Sequence, residues 1–521
     1  MATVKTKAGI AVGFRRISVR AAGVLLATII LAGCGARATP SSLLPTRTLP
    51  PFSEPPATRT PTPAPAPATL APESGGAPVT PLPAARRTSL ALCDGSQYTL
   101  GASAPIPANG PGQIVFMTLD GDIALIDAEG GQPARVTTDA IISEARGLAR
   151  FYQYPTFSPD GRQLAFVGVN LNVATETITR TVYVAPAQPQ AQRVTMHASR
   201  SGPIPYLDWA PNGQLLAFLT FDAQQQTGEL RVASSDGAAI GRIDIGQSAY
   251  WHWRADSGAM VARVGGQSGS TDAQAAERII VIDMARQSAR ALDVTPGAFR
   301  SPHYSPDGRH MLFVARFSGR DELALADAEG RPICAIAPIN HVAAFAWSPD
   351  GRRVAWLDTE TVFTSPAPLF IADLGAGQRS RIHDRASAFF WSPDGARLAV
   401  YSLVTGAPPS NIEENIQRAS GSSADEGAVL TRIEIVDARN GSAVQVADTL
   451  PTREFAQYLA YFDQYSRSTT PWSPDGRRLV FSSILSERQT VEIGVANLSA
   501  SNTAVAIKRL VTGANAFWSP R

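Results

Sequence analysis

The sequence predicts an all-β chain whose main body is a single β-propeller. Three features carry this reading: a recurring aromatic-Ser-Pro-Asp-Gly block, a short apolar run after each block, and complementary incomplete units at the two ends of the repeat region. Copies begin at Phe157, Trp209, Trp253, Tyr304, Trp347, Trp391 and Trp472, and a truncated FWSPR ends at Arg521. Apart from one long gap after Trp391 they lie about 43 to 52 residues apart, the length of a four-stranded blade.

Residues 1–33 read as a leader. Lys5, Lys7, Arg15, Arg16 and Arg20 precede the apolar residues 21–30, a run too short to span a membrane as a mature helix. Leu31-Ala32-Gly33-Cys34 then resembles a bacterial lipobox at all four positions, which implies that Cys34 is the lipid-modified first residue of the mature protein. Residues 34–88, with runs such as TRTPTPAPAPATLAP, lack the apolar periodicity needed to offset folding entropy. This segment is a disordered tether, able to hold a domain roughly 100–150 Å from its anchor at about 3.1 Å per residue of polyproline II.

The propeller is expected over 89–521. Each unit supplies an inner strand ending in the aromatic residue, then three more strands, with runs such as QLAFVGV, RTVYVAP and RIIVIDM separated by hairpins such as DAEGG and SSDGA. In the Ser-Pro-Asp-Gly turn, Pro presets φ, Asp caps, and Gly takes the positive φ. Asp160, Asp307, Asp350, Asp394 and Asp475 are therefore turn residues; they fall in different blades and cannot converge on one metal ion. The aromatics before them pack neighbouring blades together.

The ends fit each other. Residues 516–520 form an inner strand with nothing after it, and residues 109–131 form two strands with no aromatic strand before them. Their pairing gives eight blades with a mixed N- and C-terminal closure blade; seven blades is the alternative if the degenerate unit at Trp253 is incomplete. The in-phase copies FSPDGRQLAFVG, YSPDGRHMLFVA and WSPDGRRLVFSS resemble the TolB-like, WD40-like propeller repeats of exported bacterial proteins over about 112–521. That resemblance implies the propeller fold, and it leaves function open among interaction modules, accessory domains of peptidases and a few lyases.

Composition narrows the function little. Formal net charge is +2, so no global field favours nucleic acid. Lys occurs only at positions 5, 7 and 508, which reads as a base-composition bias toward Arg. Besides Cys34 only Cys93 and Cys334 are present; they are a possible disulfide, although expected on different blades. No Gly-x-Ser-x-Gly, His-Glu-x-x-His or Cys-x-x-Cys motif occurs. His252, His303 and His341 lie near inner strands and keep a lyase-type metal site open as an alternative, but no cofactor and no metal is expected.

Every long insertion, at about 139–153, 169–178, 265–276, 403–429 and 449–470, falls in the connections of one face, which makes that face the working one. Phe455, Tyr458, Leu459 and Phe462 form a helical stripe over 453–465, and Ile141, Ala145, Leu148 and Tyr152 form a second. Both helices would flank the closure seam on the propeller rim. Tyr461 and Tyr465, off the first stripe, and Phe151, beside the second, are the candidate partner contacts.

The expected protein is a non-enzymatic, monomeric propeller of the bacterial cell envelope, extracytoplasmic and joined to the membrane by its lipid, binding a protein, peptide or envelope glycan and no nucleic acid. The alternatives are a metal-dependent lyase or hydrolase in the axial channel and a small-ligand sensor partnered with a membrane protein. Cys34→Ala should release the protein from membranes, because no other mature segment is apolar enough to hold it. Sedimentation of the variant with membranes in high salt would overturn the lipid anchor.

Overall fold

The computed structural model describes residues 89–99, 101, 112–200, 202–222, 227–246, 248–265, 277–406, 428–466, 468–485, 490–499 and 505–521. The chain divides into Met1–Thr62 and Pro63–Arg521, and every described residue belongs to the second unit. The leader with Cys34, the tether, and most of the insertions 265–276 and 403–429 lie outside the described residues.

Eight antiparallel sheets form the eight blades of a propeller. Blade 1 is the closure blade: Ala514–Trp518 is its inner strand, paired with Gln113–Met117 through Ile114↔Trp518 and Val115↔Phe517, followed outward by Ile123–Asp127 and Ala134–Arg135. The degenerate unit at Trp253 is complete, since Ser248–Trp253, Ala259–Gly265, Arg278–Asp283 and Ser288–Ala291 make a four-stranded sheet. That rules out the seven-bladed alternative. In blade 8 the inner strand is reduced to bridges, Trp472↔Leu479 within the blade and Thr470↔Trp518 to blade 1.

The repeated turn has one construction. In five copies the Ser hydroxyl donates to the Asp two residues on, at 2.5–2.6 Å (Ser158–Asp160, Ser305–Asp307, Ser348–Asp350, Ser392–Asp394, Ser473–Asp475). The same Asp oxygen accepts a backbone N–H two residues further, and the Ser oxygen accepts the N–H five residues on. Each turn thus satisfies its own donors without solvent. At the third copy Ser257 occupies the glycine position with φ 61°, a conformation costly for a residue with a Cβ.

Blades are tied to one another by the same repeat. Indole N–H groups reach back to the preceding blade's inner strand: Trp209 to Thr156 O, Trp391 to Ala346 O and Trp472 to Phe390 O, at 3.0–3.4 Å. Arginines reach forward. Arg353 donates to Gly395 O and Arg397 to Gly476 O, each at 2.8 Å, while their guanidinium groups lie 5.6 and 5.5 Å from the centroids of the Trp391 and Trp472 rings.

Two expectations need correction. Cys93 and Cys334 are bonded, but within one blade: residues 91–93 add a short parallel edge beside Pro332–Ile339, with Cys93 N–H donating to Ala335 O at 2.9 Å. The same segment couples blades 5 and 6, through Arg379 to Cys93 O and Tyr98 to Gly351 O. The second helical stripe is instead a hairpin, Ile141–Ser143 and Leu148–Phe157 around a 3-10 turn at Glu144–Arg146. Gly147, at φ 60°, stops the turn, and the aromatic and β-branched residues after it favour strand.

Removing Ala516–Arg521 deletes most of the strand that seals the ring, so it should lower the melting temperature far more than removing Gly35–Pro83. Equal melting temperatures by calorimetry would overturn the closure.

Candidate functional site

The insertion between blades 7 and 8 folds as α1, Arg453–Ala460, and α2, Phe462–Tyr465. Thr452 caps α1, its hydroxyl accepting from Phe455 N–H at 3.1 Å. The stripe Phe455, Tyr458, Leu459 and Phe462 is buried as the periodicity requires, but its target is the axis rather than the rim. Phe462 lies 4.8 and 6.2 Å from the Phe389 and Phe390 rings of blade 7, Tyr458 lies 4.7 Å from Phe517 of blade 1, and Tyr465 lies 4.7 Å from Tyr206 at blade 3.

Polar contacts complete the closure. Tyr206 donates to Gln464 O at 2.8 Å, His303 Nε2 to Asp463 O at 2.9 Å, Thr156 to Ser468 O and Arg300 to Ala460 O. The backbone N–H of Trp251 reaches Gln464 Oε1 at 3.3 Å. These partners lie at or beside inner strands of blades 2 to 5, so the two helices form a plug over the channel mouth on the looped face.

The plug decides where the candidate residues stand. Tyr465, named above as a candidate partner contact, is 6% exposed and donates to Pro205 O at 2.6 Å, so its side chain is part of the plug's interior and not of the surface. Tyr461 is half-buried, with its ring 6.5 Å from Tyr250 and under Arg300 at 4.5 Å. Phe151 is half-buried on the Leu148–Phe157 strand and packs against the core between blades 2 and 3.

The histidines are not assembled into a site. His252 and His303 stack at 4.6 Å beneath the plug, with His252 Nδ1 accepting Tyr304 N–H and His303 Nε2 donating to Asp463 O. His341 is half-exposed, with Nδ1 3.6 Å from Asp358. No group of three His, Cys, Asp or Glu poised for a metal occurs among the described residues. Asp463 is the unusual ionisable group: it is 2% exposed, Oδ1 has no hydrogen-bond partner, and burial pushes its carboxyl up to about 6 against the opposing pull of Arg300.

On the opposite face, a polar groove between blades 6 and 7 is lined by Arg352, Arg353, Asp373, Gln378 and Arg439. The axial plug and the Arg300–Tyr461 contact escaped the sequence reading. The stripe announced a buried helix face, but nothing in it said which blades would bury it.

Tyr465→Ala should cost about 3–5 kcal/mol in urea unfolding, as for other buried aromatics. A loss below about 1 kcal/mol would show that the plug is not part of the core.

Neither a family model nor a curated protein matches the chain. Among solved structures it is similar to TolB from Acinetobacter baumannii, at 14% identity over 78% of this chain and 82% of that one, with a TM-score of 0.32. It is also similar to an oligogalacturonate lyase in complex with manganese, at 15% over 76% and 100% with a TM-score of 0.42. The dihydro-heme d1 dehydrogenase NirN in complex with DHE stands at 13% over 81% and 78%, with 0.47. All three TM-scores lie below 0.5, and the propeller assignment rests on the eight sheets themselves.

Proposed function

We propose that this chain is a non-enzymatic, extracytoplasmic propeller that binds a protein, peptide or envelope glycan through the rim of its looped face. One observation carries the reading: the channel mouth on that face is filled by the chain's own helices, and the residues beneath are spent on holding them. Chemistry reached through this mouth would first require expelling α1 and α2. The rim around the plug is accessible, and it carries exposed apolar side chains, Leu119, Ile141, Ile142 and Val173.

The location outside the cytoplasm is supported by the buried Cys93–Cys334 bond, which suits an oxidising compartment, and by the leader with its lipobox. Lipid attachment at Cys34 belongs to the same proposal.

A photo-crosslinking side chain at Leu119, Ile142 or Val173 (51–56% exposed) should give adducts of one defined mass in intact envelopes. The same probe at Arg162 or Arg331, on the turn face, should give none. Adducts from the turn face alone, or none at either face, would overturn the reading.

A further inference from the structure

Two arginines are buried among the described residues, Arg180 and Arg397, and they differ in what surrounds them. Arg397 has Asp394 at 3.6 Å, Gly476 O at 2.8 Å and the Trp472 ring beneath it. Arg180, 8% exposed, donates only to Gly202 O at 3.3 Å; no carboxylate pairs with it among the described residues. A guanidinium withdrawn from water without a counter-charge is costly to the fold, and burial indeed pulls its proton affinity down.

Its surroundings are organised. Arg180 lies on the Thr177–Pro186 strand, on the same strand face as Val182 and Val184, which pack against Trp209, Leu216 and Phe218 of blade 3. It therefore stands at the seam between blades 2 and 3, near the looped end. A bulge re-aims Tyr154: the register breaks between Gln153 and Thr156, Tyr154 itself sits at φ 57°, and its ring packs both against this seam's core and against Tyr458 of α1 at 6.1 Å. Phe151 and Ile178 are half-buried against the same core.

Tyr154 can donate. Burial and the field of Glu454 push its phenol up to about 12, while a hydrogen bond from Gln457 to the phenol oxygen and the charge of Arg180 pull the other way, so the hydroxyl proton is left to donate and both side chains share one electrostatic neighbourhood. A single guanidinium with Glu454 nearby suits one negative charge better than two. Its planar fork suits a flat two-oxygen acceptor, and the half-buried Phe151 and Ile178 suit an apolar group beside it.

We propose that this seam holds a carboxylate attached to an apolar group, of the kind a peptide's C-terminal residue presents, with Arg180 as its ion-pair partner and Tyr154 as the second donor. The inference rests on the looped face being the binding face and gives one point of it a ligand chemistry. It assigns Arg180, a residue whose burial is otherwise unexplained.

The test uses N-acetylphenylalanine, its amide, and inorganic phosphate, each titrated into the purified protein by calorimetry. The acid should bind saturably, with the amide and phosphate at least about tenfold weaker. Arg180→Gln should abolish binding without lowering the melting temperature, because it removes an unpaired buried charge. Tyr154→Phe, which keeps the ring and its packing, should weaken binding while the fold stays intact. Equal affinity for acid and amide, preference for phosphate, undiminished binding by either variant, or a marked loss of stability in Arg180→Gln would overturn the site. Because no partner is present in this measurement, its failure leaves the cross-linking pattern to decide the looped face separately.

Discussion

The antiparallel pairing of Ala514–Trp518 with Gln113–Met117 is the constraint on which the rest depends. Blades in an open array would expose inner edges at both ends, and each blade buries its apolar face only against its neighbours. Closure lets the first and last blades bury their facing sides as the others do, and Ile114, Ala516 and Trp518 share a cluster with Val480, Ile493 and Val495 of blade 8. It also fixes the inner strands at the separation the plug needs, because α1 and α2 touch side chains from opposite sides of the ring, Phe517 on one and His303 on another.

Much of the ring was legible because its rules are local. A Ser-Pro-Asp-Gly turn is specified by four residues and closed by hydrogen bonds within five, so each copy announces itself. The helix at 453–465 was legible for the same reason. The hairpin at 141–157 was misread because apolar residues at helical spacing also fit two short strands around a turn, and Gly147 decides between them. The inter-blade arginines were misread as composition, although Arg353, Arg397 and Arg478 each stand five residues after the turn Ser. That recurrence is the signal; its meaning depends on Arg353 and Arg397 reaching the next blade's turn carbonyl, which no single repeat contains.

Residues that meet across the ring were the illegible part. Cys93 and Cys334 are 241 positions apart, and only the docking of residues 91–93 as an added edge brings their Cα atoms to 5.1 Å. Tyr465 looked free because it lies off the stripe of its own helix. It is buried by Tyr206 and Pro205, which belong to another blade. Helical periodicity reports one covered face, and a helix set into a channel mouth is covered on more than one.

That last point bears on how an eight-bladed ring differs from a smaller one. As the number of strands around an axis rises, the space between inner strands outgrows what their side chains can fill. Here the excess at the looped end is taken up by Phe462 against Phe389 and Phe390 and by Tyr458 against Phe517, contacts of the same kind as those between the blades. The plug is thus a continuation of the core, and opening it would expose those aromatics together with Leu459, which is fully buried. Among the described residues the plug leaves two buried groups without hydrogen-bond partners, the Tyr458 hydroxyl and Asp463 Oδ1, and burial makes the ionised form of Asp463 unfavourable in place. With this mouth of the channel filled by the plug, the binding proposed for this face is left to the exposed rim outside it.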